Sequence, residues 1–240
     1  MSKQQNEANF TQNESDPDTI NSLDQMPKNS SVATNVTYTL KTDIDLVNNP
    51  INLTDTSENN VFAIIPTLYG VLDGDGHKIK NLRITIGDSV SAKNVGLVGE
   101  LYGKIRNVVF ENCYISVAGG VSGLGFAVGN SRGTISNITT TASCSLFVTG
   151  SGKYVGGIAG SSHYTQGSTL KITVSSSQNV TNCTNNVAIN APASTHVGGI
   201  MGECFLANNN QTTTKEFSRN TNTGAITASS YVGGLVGDLK

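Results

Sequence analysis

Apolar and polar residues begin to alternate at Tyr38, and the alternation continues in short runs to the end of the chain. Polar residues separate Tyr38 from Leu40, and Asp45 separates Ile44 from Leu46. A period of two is typical of β-strands that bury one face. The pattern therefore predicts many short strands.

Two features mark strand ends in this N-terminal part. Residues 61–65 are continuously apolar, which predicts a short buried strand that ends at Pro66. The alternation slips by one position at Asn81, which predicts a corner between two strands. Eight apolar side chains are expected to be buried at this end of the molecule: Leu40, Ile44, Leu46, Phe62, Ile64, Ile79, Leu82 and Ile84.

A block of the form Val-Gly-(Gly/Leu)-Ile-small-Gly recurs along the rest of the chain. It occupies residues 95–99, 125–129, 155–160, 197–202 and 232–237, and the second copy departs from the form with Phe126. The closing glycines are 30, 31, 42 and 35 residues apart. A recurrence at this spacing indicates a repeat architecture.

A second element, of the form Ile-x-Asn, follows each of the first four blocks. Its asparagine lies eight residues after the closing glycine at Asn107 and Asn137, and 22 and 18 residues after it in the next two repeats. The extra residues at 161–169 and 208–214 are polar, which predicts loops inserted into one turn of the repeat.

A unit of ~30 residues with short apolar strands cannot bury its own apolar face, whereas stacked copies can. The repeats therefore predict an all-β fold, a parallel β-helix or β-solenoid with neighbouring strands ~4.8 Å apart. Asparagine tolerates left-handed corners, so Asn107 and Asn137 are expected to form a ladder. An antiparallel sandwich is the second interpretation. In the solenoid, four valines occupy equivalent positions: Val95, Val155, Val197 and Val232.

Composition divides the chain. Gly, Asn, Ser and Thr make up 105 of the 240 residues, and only 13% are charged. No glycine precedes Gly70, and residues 1–32 combine five acidic side chains with few large apolar ones. We therefore expect a disordered polar tail at residues 1–32, an N-terminal β-segment with the first coil at 33–90, and solenoid repeats at 91–240.

Charge and hydropathy restrict the partners. The net charge is −2 and the pI is about 5.9, so electrostatics give no reason to expect nucleic acid or an anionic membrane as partner. No apolar run approaches the ~20 residues that span a bilayer, so we expect no membrane insertion. Residues 1–10 contain Lys3 but no apolar segment of a secretion signal behind it.

From Tyr38 onwards, the ordered set of blocks and Ile-x-Asn elements resembles the GLUG-motif repeats of bacterial and protist surface proteins. Residues 40–46 and 72–82 are similar to the region that precedes such repeats. The resemblance implies a parallel, right-handed β-helix in an adhesin-like protein that is located at the cell surface or secreted. GLUG repeats also occur beside the catalytic part of bacterial IgA-cleaving metallopeptidases.

No peptidase chemistry transfers to this chain. A zinc peptidase needs two histidines four positions apart on a helix with a glutamate between them. The residues that follow His77, His163 and His196 do not fit this pattern. Asp73 and Asp75 lie in a glycine-rich turn but lack the spacing of an EF-hand loop, so a plain turn is expected, with weak Ca²⁺ binding as the alternative. We predict no catalytic, cofactor or metal site and no cofactor.

Three carboxylates align in the repeats, because Glu100, Glu203 and Asp238 each follow a closing glycine. The simplest interpretation is a solvated edge row, and a catalytic pair is the alternative, since polysaccharide lyases and hydrolases also use parallel β-helices. Five basic residues are expected to form a solvent-exposed face: Lys78, Lys80, Arg83, Lys104 and Arg106.

The cysteines and glycosylation sequons do not identify a compartment. The cysteines contain no CxxC pair, so we expect four small buried side chains, although stacking that brings two into register would permit a disulfide. They are Cys113, Cys144, Cys183 and Cys204. Nine Asn-x-Ser/Thr sequons occur, a slight excess over chance.

Repeated coils without a convergent catalytic set predict a non-catalytic, adhesin-like scaffold that binds a protein or glycan ligand. A carbohydrate-active β-helix enzyme is the alternative. The chain stops at Lys240, three residues into a fresh repeat. An uncapped solenoid end exposes apolar surface. We therefore expect a longer protein or self-association through the last coil, unless residues 1–32 fold back to seal it.

Overall fold

The fold consists of short parallel strands in stacked rungs. The computed structural model describes residues 19–20, 37–53, 62–162, 179–205 and 216–240, and within these ranges it contains strands and no helix. Except for β1 (Thr19–Ile20), the strands group into six successive rungs related by five steps, about five turns.

The first three rungs are the following. Rung 1 contains β2 (Thr37–Leu40), β3 (Ile44–Asp45), β4 (Ile51–Leu53) and β5 (Ala63–Leu68). Rung 2 contains β6 (Val71–Asp73), β7 (Lys78–Lys80), β8 (Arg83–Ile86) and β9 (Ser91–Leu101). Rung 3 contains β10 (Lys104–Glu111), β11 (Tyr114–Val117), β12 (Gly120–Leu124) and β13 (Val128–Ser131).

The last three rungs repeat this order. Rung 4 contains β14 (Thr134–Thr140), β15 (Ser145–Val148), β16 (Gly152–Gly156) and β17 (Ala159–Ser161). Rung 5 contains β18 (Val180–Thr181), β19 (Thr184–Asn185), β20 (Ile189–Gly198) and β21 (Met201–Cys204). Rung 6 contains β22 (Phe217–Ser218), β23 (Thr221–Asn222), β24 (Ile226–Gly233) and β25 (Val236–Leu239).

Neighbouring rungs pair in parallel, which confirms the solenoid and makes the antiparallel sandwich wrong. In the row of block valines, Val155 pairs with Val197 and Val197 with Val232. Leu124 lies between Val95 and Val155, so all five repeats contribute to one row. Val180 still pairs with Ile135 although the repeat between them is longer. The predicted loop at 208–214 lies outside the described residues, as does 161–169 after Ser162.

The core lies inside the stack, where alternate residues of every rung point inward. Seven of the eight predicted N-terminal core residues are buried, each at most 3% exposed. Ile64 is the exception, because β5 alternates and directs Ala63 and Ile65 inward instead. Ile64 is only partly buried against the core.

Pro66 lies inside β5, so the prediction that it ends this strand is wrong. Proline is tolerated there because, among the described strands, β5 pairs with β9 alone and so lies at an edge, where a missing N–H breaks no ladder hydrogen bond. The slip at Asn81 is a corner, as predicted, since Asn81 has a φ of 57° between β7 and β8.

At the N-terminal end, β1 pairs with β2 and so extends the sheet below rung 1. The rest of the predicted tail at residues 1–32 lies outside the described residues. Thr19 and Ile20 therefore join the first rung rather than the last. Within the described ranges, no helix is long and apolar enough to cross a membrane.

Candidate functional site

The recurring glycine block forms a U-turn, which brings the strand before the block into close contact with the strand after it. Tyr154 precedes one block in a left-handed conformation with a φ of 61°. The closing Gly202 of the next rung lies against it, and a Cβ on Gly202 would be 2.3 Å from the backbone carbonyl carbon of Tyr154. No Cβ fits at that distance. The glycine of the motif therefore permits a backbone-to-backbone contact between successive rungs.

The middle glycine of the block accommodates a buried amide that sequence analysis missed. A Cβ on Gly157 would lie 2.4 Å from the side-chain carbon Cγ of Asn185, which has no exposed surface. Asn185 accepts a hydrogen bond from Thr140 Oγ1 at 2.6 Å and donates to Asn222 Oδ1 at 2.8 Å. The available signal was the aligned Thr-Asn pair in rungs 5 and 6, each three residues after a corner residue.

The predicted row of carboxylates exists, and two polar residues interrupt it. Glu100 pairs with Asn130, Asn130 with Ser161, Ser161 with Glu203, and Glu203 with Asp238. Glu100 and Glu203 are therefore three rungs apart, ~14 Å. Paired carboxylates in glycosidases are ~5–9.5 Å apart, so these two do not form such a pair.

The solvated edge expected for this row is wrong at Glu203, whose side chain is 0% exposed. The U-turn places the row against the preceding corner, so its side chains lie under corner side chains. Glu203 Oε1 accepts a hydrogen bond from Lys240 Nζ at 2.7 Å, and the same ammonium lies 3.3 Å from Asp238. The hydrogen bond to Glu203 is the main cause that raises the pKa of Lys240.

Three aromatic rings lie next to one another over the C-terminal end of this row. Tyr154, His196 and Tyr231 occupy the same corner in rungs 4, 5 and 6, all with positive φ. The His196 ring lies 5.3 Å from Tyr154 and 4.4 Å from Tyr231. Its Nε2 is 3.6 Å from Asp238 Oδ2.

At the other end, Glu100 is held by two donors. Asn94 Nδ2 and the Tyr102 hydroxyl each donate to its carboxylate at 3.0 Å. Burial and the charge of Glu100 raise the pKa of Tyr102 to about 12. An open cleft of about 280 Å³ adjoins Glu100, and its lining includes Phe62, Pro66 and Lys93.

Asparagine ladders follow two of the corners, which confirms the prediction for Asn107 and Asn137. Asn137 Nδ2 donates to Asn107 Oδ1, and Asn107 Nδ2 donates to Asp73 Oδ1, both at 2.9 Å. A second ladder, missed from sequence, connects Asn112 to Asn81 at 2.6 Å and Asn81 to Asp45 at 2.7 Å. All four asparagines have positive φ.

The Asp73 turn is part of this hydrogen-bonding network. Burial raises the pKa of Asp73, but hydrogen bonds from the Asp75 amide, Asn107 and Arg106 outweigh it and leave the pKa below its ordinary value. Both carboxylate oxygens therefore have protein donors. Among the described residues, no group of three or more His, Cys, Asp or Glu side chains could hold a metal ion.

The basic residues lie on the outside, as expected, and most have a partner. Lys80 is 2.6 Å from Asp43, Lys78 is 2.6 Å from Glu111, and Arg106 is 2.8 Å from Asp73. Arg83 and Lys104 are exposed. His77 Nδ1 lies 3.5 Å from Asp43, and His163 lies outside the described residues.

The strands β4, β8, β11, β15, β20 and β24 stack on one another and present one outward row that sequence analysis did not single out. We name this row the outer row: Asn52, Thr85, Ser116, Phe147, Asn190 and Thr227. Five of the six residues are exposed, and Ser116 is partly so. The Phe147 ring is 36% exposed and 6.0 Å from Tyr114, whose own ring lies under the Arg83 guanidinium at 5.9 Å. Uncharged polar groups thus flank a small aromatic patch.

No protein-family model matches this chain, and no solved structure matches it. A similarity extends to halomucin of Haloquadratum walsbyi, which is 40% identical over 147 residues. The match covers 55% of this chain and 1% of halomucin, so the chain is similar to a very small part of a very long protein.

Proposed function

We propose that the chain is a non-catalytic repeat scaffold of a cell surface, adhesin-like, which binds a glycan through the outer row. The observation that carries the proposal is the row itself, in which six successive rungs present one aligned surface. The β-solenoid fold and the similarity to halomucin fit a surface scaffold. The GLUG resemblance adds support for an adhesin-like protein.

The chemistry of the outer row suits a sugar chain. Asn52, Thr85 and Asn190 offer hydroxyl and amide groups, which donate and accept hydrogen bonds as sugar hydroxyls do. Phe147 and Tyr114 supply apolar ring surface for the C–H face of a pyranose. Successive rungs lie ~4.8 Å apart, so an extended chain along the axis meets the same kind of group at each step.

A glycan-binding array with the full chain tests this function, followed by titration of the best neutral oligosaccharide. We expect Phe147→Ala and Tyr114→Ala to weaken binding at least about tenfold, since each removes ring surface from the patch. Thr139→Ala is the matched control, because Thr139 also points outward but lies on β14, which pairs with β10 and carries no residue of the outer row. Equal loss in the control, or binding only to protein ligands, contradicts the glycan assignment. Reproducible cleavage of the oligosaccharide would instead favour the carbohydrate-active enzyme.

We also propose that rung 6 mediates self-association. Tyr231, Val232, Leu235 and Leu239 are between 37% and 63% exposed. Val197 and Ile200, which lie beneath two of these residues in rung 5, have no exposed surface. An apolar side chain at these positions is therefore buried when another rung stacks on top of it. A second copy, or a further rung where the chain is part of a longer protein, supplies such a layer.

A further inference from the structure

Two of the four cysteines occupy equivalent positions in adjacent rungs. Cys113 directly precedes β11 and Cys144 directly precedes β15, and these strands pair with Tyr114 opposite Ser145. The Ser145 amide donates a hydrogen bond to the Cys113 carbonyl at 2.9 Å, so the pairing of the two strands extends as far as the cysteines. The two residues therefore face each other across one step of the stack.

The two thiols also touch the same small part of the core. The Cys113 amide donates to Cys144 Sγ at 3.3 Å, so the Cys144 sulfur points at the neighbouring rung. Cys113 is 1% exposed and Cys144 is 5% exposed. Both are reduced.

The spacing lies within reach of a disulfide. Residues opposite each other on adjacent strands are ~4.8 Å apart, inside the ~4.4–6.8 Å range of Cα separations in disulfides. The usual Cβ separation is ~3.8 Å, so the bond draws the two corners together by ~1 Å. Both cysteines lie in corners rather than in strands.

The other two cysteines lie opposite residues of other types. Cys183 occupies the position above Ile138, and Cys204 lies opposite Leu239. They are equally well buried, at 0% and 3% exposed. They serve as internal controls for chemistry that depends on pairing.

We propose that Cys113 and Cys144 form a reversible disulfide between rungs 3 and 4 when the protein meets a peroxide. This modification is independent of any ligand of the outer row.

The corner above Cys144 gives a small oxidant access. Ala142 and Ser143 are exposed and directly precede it, and Cys144 itself is 5% exposed. The interaction between the two thiols is the main cause that lowers the pKa of Cys144 and raises the pKa of Cys113. Cys144 is therefore the more readily ionised thiol and the first nucleophile.

The chemistry balances with one peroxide molecule. The Cys144 thiolate attacks a peroxide oxygen, the O–O bond breaks, and the leaving hydroxide takes the thiol proton to form water. The Cys113 sulfur then attacks the sulfur of the Cys144 sulfenic acid. The S–O bond breaks, and the second hydroxide leaves as water with the proton of Cys113. Two thiols are oxidised to one disulfide, and hydrogen peroxide is reduced to two waters.

The test treats the full-length reduced protein with hydrogen peroxide, alkylates the remaining thiols after denaturation, and identifies cross-linked peptides by mass spectrometry. We expect a Cys113–Cys144 cross-link, with Cys183 and Cys204 alkylated, and its loss on adding dithiothreitol. The thermal midpoint of the oxidised protein should rise by several degrees.

Variants separate pairing from general reactivity. Cys113→Ser should leave Cys144 as a sulfenic acid that dimedone traps, whereas Cys183→Ser should keep the cross-link. Four alkylated thiols after peroxide, over-oxidation of Cys144 in the wild-type chain without a cross-link, or a cross-link through Cys183 or Cys204 would each overturn the proposal.

Discussion

At the residue scale, the solenoid depends on which positions lack a side chain. Gly157, Gly199 and Gly234 are the middle glycines of the last three blocks. The first two face the side-chain amides of Asn185, which is buried, and Asn222, which is half-buried, whereas a Cβ on Gly234 would have nothing within 4 Å. In rung 3 the same position is Phe126, which packs near Phe110 at 6.2 Å. The same space inside the stack is therefore filled in two ways. A large aromatic ring fills it in rung 3, and a glycine that faces an asparagine side chain fills it in rungs 4 and 5.

The difference in surroundings between Gly157 and Gly234 predicts that replacement by alanine has unequal effects on stability at the two positions. Gly157→Ala should lower the free energy of unfolding by about 3 kcal/mol, because its Cβ overlaps Asn185 and the Gly199 carbonyl. Gly234→Ala is the matched control and should change it by less than about 0.5 kcal/mol. Urea denaturation measures both. Equal effects would show that the close contact does not decide stability.

Asp43 makes the fold sensitive to acid. Its hydrogen bond with Lys80 and the amide of Lys78 lower its pKa from 3.8 to about 2. The ion pair therefore adds stability above the unfolded pKa, and this contribution is lost as the pH falls from about 4 to about 2. We expect the stability gap between wild type and Asp43→Asn to close over that range. A gap that stays constant, or one that Asp88→Asn reproduces, would argue against this assignment.

At the scale of the element, corners rather than strands specify the register. Asn107 has a φ of 57° and hydrogen bonds both to Asp73 below and to Asn137 above. Left-handed geometry costs other residues ~1–2 kcal/mol. The ladder thus combines a conformational preference with contacts between rungs.

Two substitutions separate these contributions. Asn107→Gly keeps the left-handed geometry and loses the hydrogen bonds, so it should cost about 1 kcal/mol. Asn107→Ala loses both and should cost about 2–3 kcal/mol. Chemical denaturation of the two variants provides the measurement. If alanine is no worse than glycine, the corner conformation contributes nothing.

The elements that sequence predicted are those whose signal repeats. The Val95 row, the Asn107 corner and the parallel pairing follow from spacing alone, since a stack places each recurring motif over its copy. Burial of Glu203 and Asn185 could not be read in this way. Their burial depends on the strand on the other side of the glycine turn. The spacing of motifs along the sequence does not show how close that strand lies in space.

At the scale of the whole molecule, the two ends of the stack differ. Rung 1 carries β1 along one edge, whereas rung 6 exposes Val232 and Leu239. We expect concentration-dependent oligomers of the full chain, which Val232→Ser with Leu239→Ser should suppress in sedimentation velocity. Val47→Ser is the control, since Val47 is 54% exposed but belongs to rung 1. A wild-type chain that remains monomeric at high concentration would refute this contact.

Stacking in register also sets how far the chain reaches. Five steps of ~4.8 Å carry residues 37–239 only ~24 Å along the axis. The same residues in one α-helix would extend ~300 Å. Residues added between Ser161 and Val180 add no rung, because Val180 still pairs with Ile135 and with Phe217. A protein assembled from such units therefore gains little length along the axis for the number of residues that it adds.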